Sequence, residues 1–360
     1  MGWTKRMNMH GNRKQILFAC VSVLIGISAA TGILFLGEVA VRMGTNINFL
    51  GTSSHLFAAK RFGASRGNAP SIRALSYEAT VYTDSNGFRI PRPDYQYPGT
   101  QSDHVLILGD SVAFGPGVAE EKTFAGQLRT SKPDWAIFNA AVIGYDVDDY
   151  LNVVRSLIDE GHRYKFVVLI MCLNDVSGDS ARLLNNSPMP PGFSTVETIR
   201  KLDFASAAND WLRNNSKLYL YVKGLVTDPP ARHFYADYSN YVGKVDRQLS
   251  VVTEVAATLR RAGMPLLVVI APYAYQIRER DGKAPKDRVD GDLLLPQRKI
   301  VTFLRGMGVT TYDSTGFFES QTAGVSSDLF LPFDAMHFSK KGHAVMYMFI
   351  DRLLHSEKLL

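Results

Sequence analysis

Five short apolar runs alternate with helical segments from residue 104 to the C-terminus, and this alternation constrains the fold more than anything else in the chain. "HVLIL" (104–108), "WAIFNAAV" (135–142), "KFVVLIMCL" (165–173), "PLLVVIAP" (265–272) and the shorter "VTTYD" (309–313) read as strands. Between them lie "EEKTFAGQLRTS" (120–131), the amphipathic "VDDYLNVVRSLIDEG" (147–161) with its Gly stop, and helical stretches at about 242–262, 296–306 and 339–355. Near-continuous apolar strands separated by helices predict a mostly parallel sheet covered on both faces. In such α/β sheets, chemistry collects at the carboxyl ends of the strands. Residues 177–240 break the alternation with Pro-rich and aromatic stretches and read as an insertion containing short helices.

A different signal precedes this region. From Ile16 to Leu36 there is no charged residue. As a helix, this run is about 31 Å long, enough to cross a hydrocarbon core of roughly 30 Å. Residues 15–37 are therefore expected to form a transmembrane signal anchor. Residues 1–14 carry Lys5, Arg6, Arg13 and Lys14, which place the N-terminus in the cytoplasm and the rest of the chain in the periplasm or outside the cell. Cleavage as a signal peptide is the competing reading, since Ser28, Ala29 and Ala30 supply small residues. Residues 38–75, rich in Gly, Ser, Asn and Arg from residue 43 onward, are expected to be a linker, and residues 76–360 the folded domain.

The same segment explains the net charge of +6. Five basic residues and only Glu38 lie within residues 1–42, so most of the excess flanks the apolar helix and argues against a nucleic-acid partner. The two cysteines, Cys20 and Cys172, lie far apart in sequence and are not expected to pair. "ATVYTDSNGFRIPRP" (79–93) alternates apolar residues around Asn86-Gly87 and predicts a hairpin.

Four strand ends carry residues suited to acyl transfer. The first strand runs into Gly109-Asp110-Ser111, the second into Ile143-Gly144-Tyr145, the third into Asn174-Asp175, and "FDAMHFSKKGH" (333–343) lies near the C-terminus. A serine needs a base to become a nucleophile, and an imidazole titrates in the range where it can serve. Ser111 and His337 fit these roles. Asp334, three residues before His337, can reach its other ring nitrogen through a tight turn, fixing the tautomer and stabilising the imidazolium. The backbone N–H groups of Ser111 and Gly144 and the side-chain amide of Asn174 can hold an oxyanion. Asp110 and Asp175 read as structural. "GASRG" (63–67) fits a nucleophile-elbow pattern but lacks the flanking strand and helix that this motif requires. Neither a phosphate-binding loop nor a zinc-ligand pattern occurs, so no metal or cofactor is expected.

These blocks resemble the SGNH family of GDSL-type esterases and lipases. The resemblance covers roughly residues 104–355 and is carried by "LGDSVAFGPGV", Gly144, "CLND" and "DAMHFSKKGH". It implies a flavodoxin-like three-layer α/β/α fold and a Ser-His-Asp site that works without a metal. His343 matches the family's Gly-His and is expected to cap or pack at the start of the last helix. "TDSNGFRIP" is similar to a leader found in membrane-anchored members. Cys172 stands where the family usually has glycine, which implies a local packing difference. The insertion is expected to shape the substrate site. Three functions remain open on these residues: an esterase acting on an acyl, expectedly acetyl, ester of a small molecule, carbohydrate or lipid outside the cytoplasm; an O-acyltransferase acetylating a cell-envelope polysaccharide; and a non-catalytic carbohydrate-binding protein.

Overall fold

In a computed structural model of the chain, described for residues 4–99, 103–177, 203–226, 242–277, 292–322, 326–334 and 336–359, a central sheet has eight strands. Its parallel half consists of β6 (Asp103–Gly109), β7 (Trp135–Asn139), β8 (Phe166–Met171), β9 (Leu266–Ile270) and β10 (Thr310–Asp313). Their spatial order is β7-β6-β8-β9-β10. Renumbered from the first parallel strand this is 2-1-3-4-5, the flavodoxin-like doubly wound order. The five strands match the five apolar runs of the sequence. Val105 to Leu108 and Phe166 to Met171 are all buried, as strands covered on both faces must be.

The right-handed crossover rule sends the helix after β6 and the helix after β7 to opposite faces once the strand order reverses. Helix Phe124–Ser131 packs with the last helix, Lys340–Ser356, over Val105, Ile107, Ile137 and Val168. Helix Val147–Asp159 packs with Val242–Arg261. It opens on a capping box: the Asp146 side chain accepts from the N–H groups of Asp148 and Asp149, and Asp149 accepts from the N–H of Asp146.

Beyond β7 the sheet continues as an antiparallel meander of β5 (Arg89–Ile90), β4 (Ala79–Thr83) and β3 (Arg73–Ser76). The expected hairpin is thus β4–β5, with Gly87 at φ +84° and its N–H bonded to the Asp84 carbonyl at 3.0 Å. The linker expected over residues 38–75 is corrected. The N-terminal helix runs on to Gly44, β3 joins the main sheet, and β1 (Phe57–Ala59) pairs with β2 (Arg66–Asn68) in a small second sheet. Leu56, Ala64 and Ala74 are buried there. Gly and Ser content suggested a tether because these residues also serve tight turns, and here they connect very short strands.

Contacts divide the chain into two compact units, residues 50–200 with 227–360, and residues 1–49 with 201–226. The second contains helix Thr4–Gly44, which is long and apolar enough to cross a membrane, and helices Asp203–Asn215 and Lys217–Val226. Glu38 ties these together by accepting from the Ser216 hydroxyl and from the N–H groups of Lys217 and Leu218 at 2.8–2.9 Å. Val41, Ile47 and Leu220 bury one another beside that cap. Residues 203–226 of the 177–240 insertion therefore belong with the N-terminal helix, and apart from Ser177 the rest of it lies outside the described residues.

Candidate active site

Ser111 stands where β6 stops. Gly109 has φ +152°, and a Cβ there would lie 2.5 Å from the Ala113 Cβ and 2.8 Å from the Ile170 carbonyl, so only glycine fits the bend. Asp110 then caps the short helix Ser111–Phe114, its Oδ1 accepting from the Val112 N–H at 2.8 Å. Ser111 follows β6 and Asn174 follows β8, so both flank the point where the strand order reverses.

The sequence-predicted triad residues meet. Ser111 Oγ is 2.9 Å from His337 Nε2, and His337 Nδ1 is 2.7 Å from Asp334 Oδ2. The other Asp334 oxygen accepts the backbone N–H groups of Met336 and His337, both at 2.9 Å. Burial works against the charged form of each partner, but their mutual attraction and hydrogen bonding outweigh it. The Asp334 carboxyl is held below the usual carboxylate range and the His337 imidazole is raised above the usual histidine range.

The loop after β7 lies against the end of β6, with the Val142 N–H donating to the Gly109 carbonyl at 3.2 Å. Gly144 follows at φ +81°. Asn174 is engaged: its Nδ2 donates to Asp110 Oδ2 at 2.9 Å and its Oδ1 accepts from the Tyr273 hydroxyl at 3.3 Å. One of its two amide hydrogens is thus used on Asp110, leaving the second for a ligand. Asp175 is structural, as expected, accepting from the Cys172 N–H at 2.8 Å and the Tyr150 hydroxyl at 3.0 Å. Burial, then the Asp110 charge, pushes its carboxyl well upward and does the same to the Cys172 thiol. Asp110, Cys172 and Asp175 bring three ligand-type atoms within 4.8 Å of one another. Their carboxylate oxygens already accept the bonds just named, so they form a hydrogen-bond hub beneath Ser111.

His343 is fully buried and packs between Phe124 and Phe338, while Ser339 supplies the cap of the last helix. "GASRG" takes no elbow geometry. Gly63 turns the chain at φ +70° and Arg66 opens β2.

Three side chains were not picked out from sequence, and all come from the region before β6. Arg89 is fully buried and donates to the carbonyls of Phe114, Gly115 and Val118, fixing the turn that ends the serine helix. Burial, then the Arg129 charge, lowers its pKa to about 9. Tyr77 sets its ring edge-on to His337, with centroids 5.6 Å apart. Arg66 lies over Gly144, its Nη2 where a Cβ would be. The "GFR" of the leader was the available signal for Arg89, whereas nothing local marks Tyr77 or Arg66.

No family model matches the chain, and no curated protein does. The chain is similar to several solved structures. A protein of the G-D-S-L lipolytic family from Desulfitobacterium hafniense shows 12% identity and TM-score 0.40, over 70% of this chain and 100% of that one. An acetyl xylan esterase shows 12% identity and TM-score 0.41, over 69% and 98%. A catalytic mutant of an acetylxylan esterase from Geobacillus stearothermophilus shows 12% identity and TM-score 0.39, over 71% and 95%.

Proposed function

We propose that this chain is a membrane-tethered serine esterase of the SGNH type that hydrolyses an acyl ester, with acetyl as the acyl group, outside the cytoplasm. The observation that carries the reading is the continuous relay Ser111 Oγ–His337 Nε2 and His337 Nδ1–Asp334 Oδ2 at 2.9 and 2.7 Å. The helix Thr4–Gly44 supports the tether.

In this mechanism Ser111 Oγ attacks the ester carbonyl carbon while its proton passes to His337 Nε2. Asp334 holds Nδ1–H and stabilises the imidazolium. The carbonyl oxygen, now negative, is held by the N–H groups of Ser111 and Gly144 and by the second amide hydrogen of Asn174. The intermediate collapses, the C–O bond to the alcohol breaks, and His337 returns its proton to the departing oxygen. Water then attacks the acyl-serine with His337 again as base, releasing the carboxylic acid and restoring Ser111.

The test uses the full chain in neutral detergent with 4-nitrophenyl acetate, with and without glycan acceptors, beside Ser111→Ala. Ser111-dependent release of nitrophenol and acetate is expected. Acetyl recovered on a glycan would move the assignment to an O-acyltransferase using the same residues. Equal behaviour of wild type and Ser111→Ala, with no fluorophosphonate label on Ser111, would overturn the catalytic reading.

A further inference from the structure

Arg66 is unusual for an arginine at the edge of a candidate site because its backbone is clamped while its guanidinium makes no hydrogen bond or ion pair among the described residues. The Tyr145 hydroxyl donates to the Arg66 carbonyl at 2.9 Å, and two residues on, Asn68 Nδ2 donates to the Ala141 carbonyl at 3.1 Å. These two bonds bracket the loop that carries Gly144, so β2 is stitched to it on both sides. The guanidinium carbon lies 5.2 Å from the centroid of the Phe57 ring, which orients it as a cation–π partner. Its Nη2 occupies the space left by the missing side chain of Gly144. Glycine at 144 therefore serves two purposes: it allows φ +81°, and it lets a cation approach the backbone beside the oxyanion donors.

No acceptor neutralises that cation among the described residues. The carboxylate that feels its charge is Asp149, whose oxygens accept the N–H groups of Ser65 and Asp146 at 3.4 and 3.3 Å. Arg61, the other arginine acting on Tyr145, donates to the Asn86 carbonyl at 2.8 Å. A guanidinium offers five donors in a planar fork suited to carboxylate or phosphate. We infer that Arg66 forms an anion subsite beside Gly144, taking a carboxylate or phosphate group carried by the ester substrate. The assignment rests on Ser111 as nucleophile and deepens that reading to a class: esters bearing a negative charge near the scissile bond.

The experiment measures kcat/KM of the full chain in neutral detergent on three matched pairs. The first is an O-acetylated methyl glucuronoside against the corresponding glucoside, and the second 1-acetylglycerol 3-phosphate against 1-acetylglycerol. The third is 4-nitrophenyl hydrogen succinate against 4-nitrophenyl butyrate. The first two place a carboxylate or a phosphate on the alcohol, and the third places a carboxylate on the acyl group. At least one pair is expected to favour the anion by about tenfold to a hundredfold, the scale of a charge-assisted hydrogen bond. That ratio should collapse in Arg66→Ala, recover in part in Arg66→Lys, and shrink with added salt. Ratios at or below one in all three pairs, or a ratio that survives Arg66→Ala, would overturn the subsite. Thermal unfolding checks each variant, with Arg66→Gln standing in if Arg66→Ala is unfolded. If wild type hydrolyses none of the six, the esterase reading is decided separately, by 4-nitrophenyl acetate and the fluorophosphonate label on Ser111. Calorimetric binding of the same anions to Ser111→Ala, with and without Arg66→Ala, then decides the subsite: loss of binding with Arg66 supports it, and no difference rejects it.

Discussion

Asp334 holds His337 by two independent bonds. One carboxylate oxygen meets the ring Nδ1 at 2.7 Å, and the other accepts the backbone N–H of His337 at 2.9 Å. A spacing of three residues makes this possible, because the chain folds back through a turn in which the Asp334 N–H donates to the Leu331 carbonyl at 3.0 Å. The carboxylate therefore sets both the position of the backbone and the tautomer of the ring.

Asp334→Asn should separate those two effects. The amide oxygen can still accept the backbone N–H groups, so the turn persists. The amide nitrogen facing Nδ1 then favours the tautomer with its proton on Nε2, which cannot take a proton from Ser111. A fall in kcat of about ten-thousandfold is expected, with the fold kept but a lower melting temperature at neutral pH, because the charge that favours the folded state is gone. Steady-state hydrolysis of 4-nitrophenyl acetate beside thermal unfolding checks this.

The pH profile follows from the same pair. His337 must be neutral to act as base, and its pKa is raised. Activity should therefore rise with pH through a value above the ordinary histidine pKa of about 6.5. For stability the signs are opposite. The raised His337 contributes stability that is full below the ordinary histidine value and is lost as pH rises through its folded value. The lowered Asp334 contributes stability present above the ordinary carboxylate value and lost as pH falls through its folded value. A kcat/KM profile and urea midpoints over the same pH range test both. An activity midpoint below the ordinary histidine value would contradict the assignment of the base.

The turn beneath His337 stores strain. Tyr77 and Glu78 join β3 to β4 at φ +48° and +65°, a two-residue connection that ordinarily takes Asn-Gly. Replacing Tyr77→Asn together with Glu78→Gly should raise stability by about 1–2 kcal/mol, while removing the ring that meets His337 edge-on. A higher unfolding midpoint with kcat lower by about tenfold is expected. Unchanged kcat would mean that the Tyr77 ring does not position the base.

His343 should make the domain acid-sensitive. Burial, then the charges of Arg89 and His337, lowers its pKa to about 3, so it stays neutral when folded and takes a proton when unfolded. Stability must then fall as pH drops from the ordinary histidine value toward about 3. Its Nε2 has no hydrogen-bond partner among the described residues. His343→Phe should flatten this slope, whatever constant packing cost the larger ring adds. Denaturant midpoints measured at neutral pH and at pH values below the histidine range compare the two slopes.

Periodicity and local chemistry were enough to read the parallel half of the sheet. A strand buried on both faces has to be apolar throughout, so β6, β7, β8 and β9 announce themselves in the sequence. The turn chemistry of Gly109-Asp110-Ser111 and the three-residue spacing of Asp334 and His337 are local too, and both geometries follow from residues that touch close neighbours in the chain. Residues 50–75 of the expected 38–75 linker were misread for the converse reason. Strands of three or four residues are too short to show a period, and their Gly, Ser and Asn look the same in a tether as in a turn. What only the tertiary structure decided is which distant side chains reach the site. Arg66 lies on Gly144 because Tyr145 and Asn68 clamp β2 there, and Tyr77 meets His337 because the β3–β4 turn ends beside it. Asn174 donates to Asp110 because β6 and β8 are neighbours at the reversal of strand order. Such contacts depend on strand order and register, which pair residues without regard to their separation along the chain, so no local pattern encodes them.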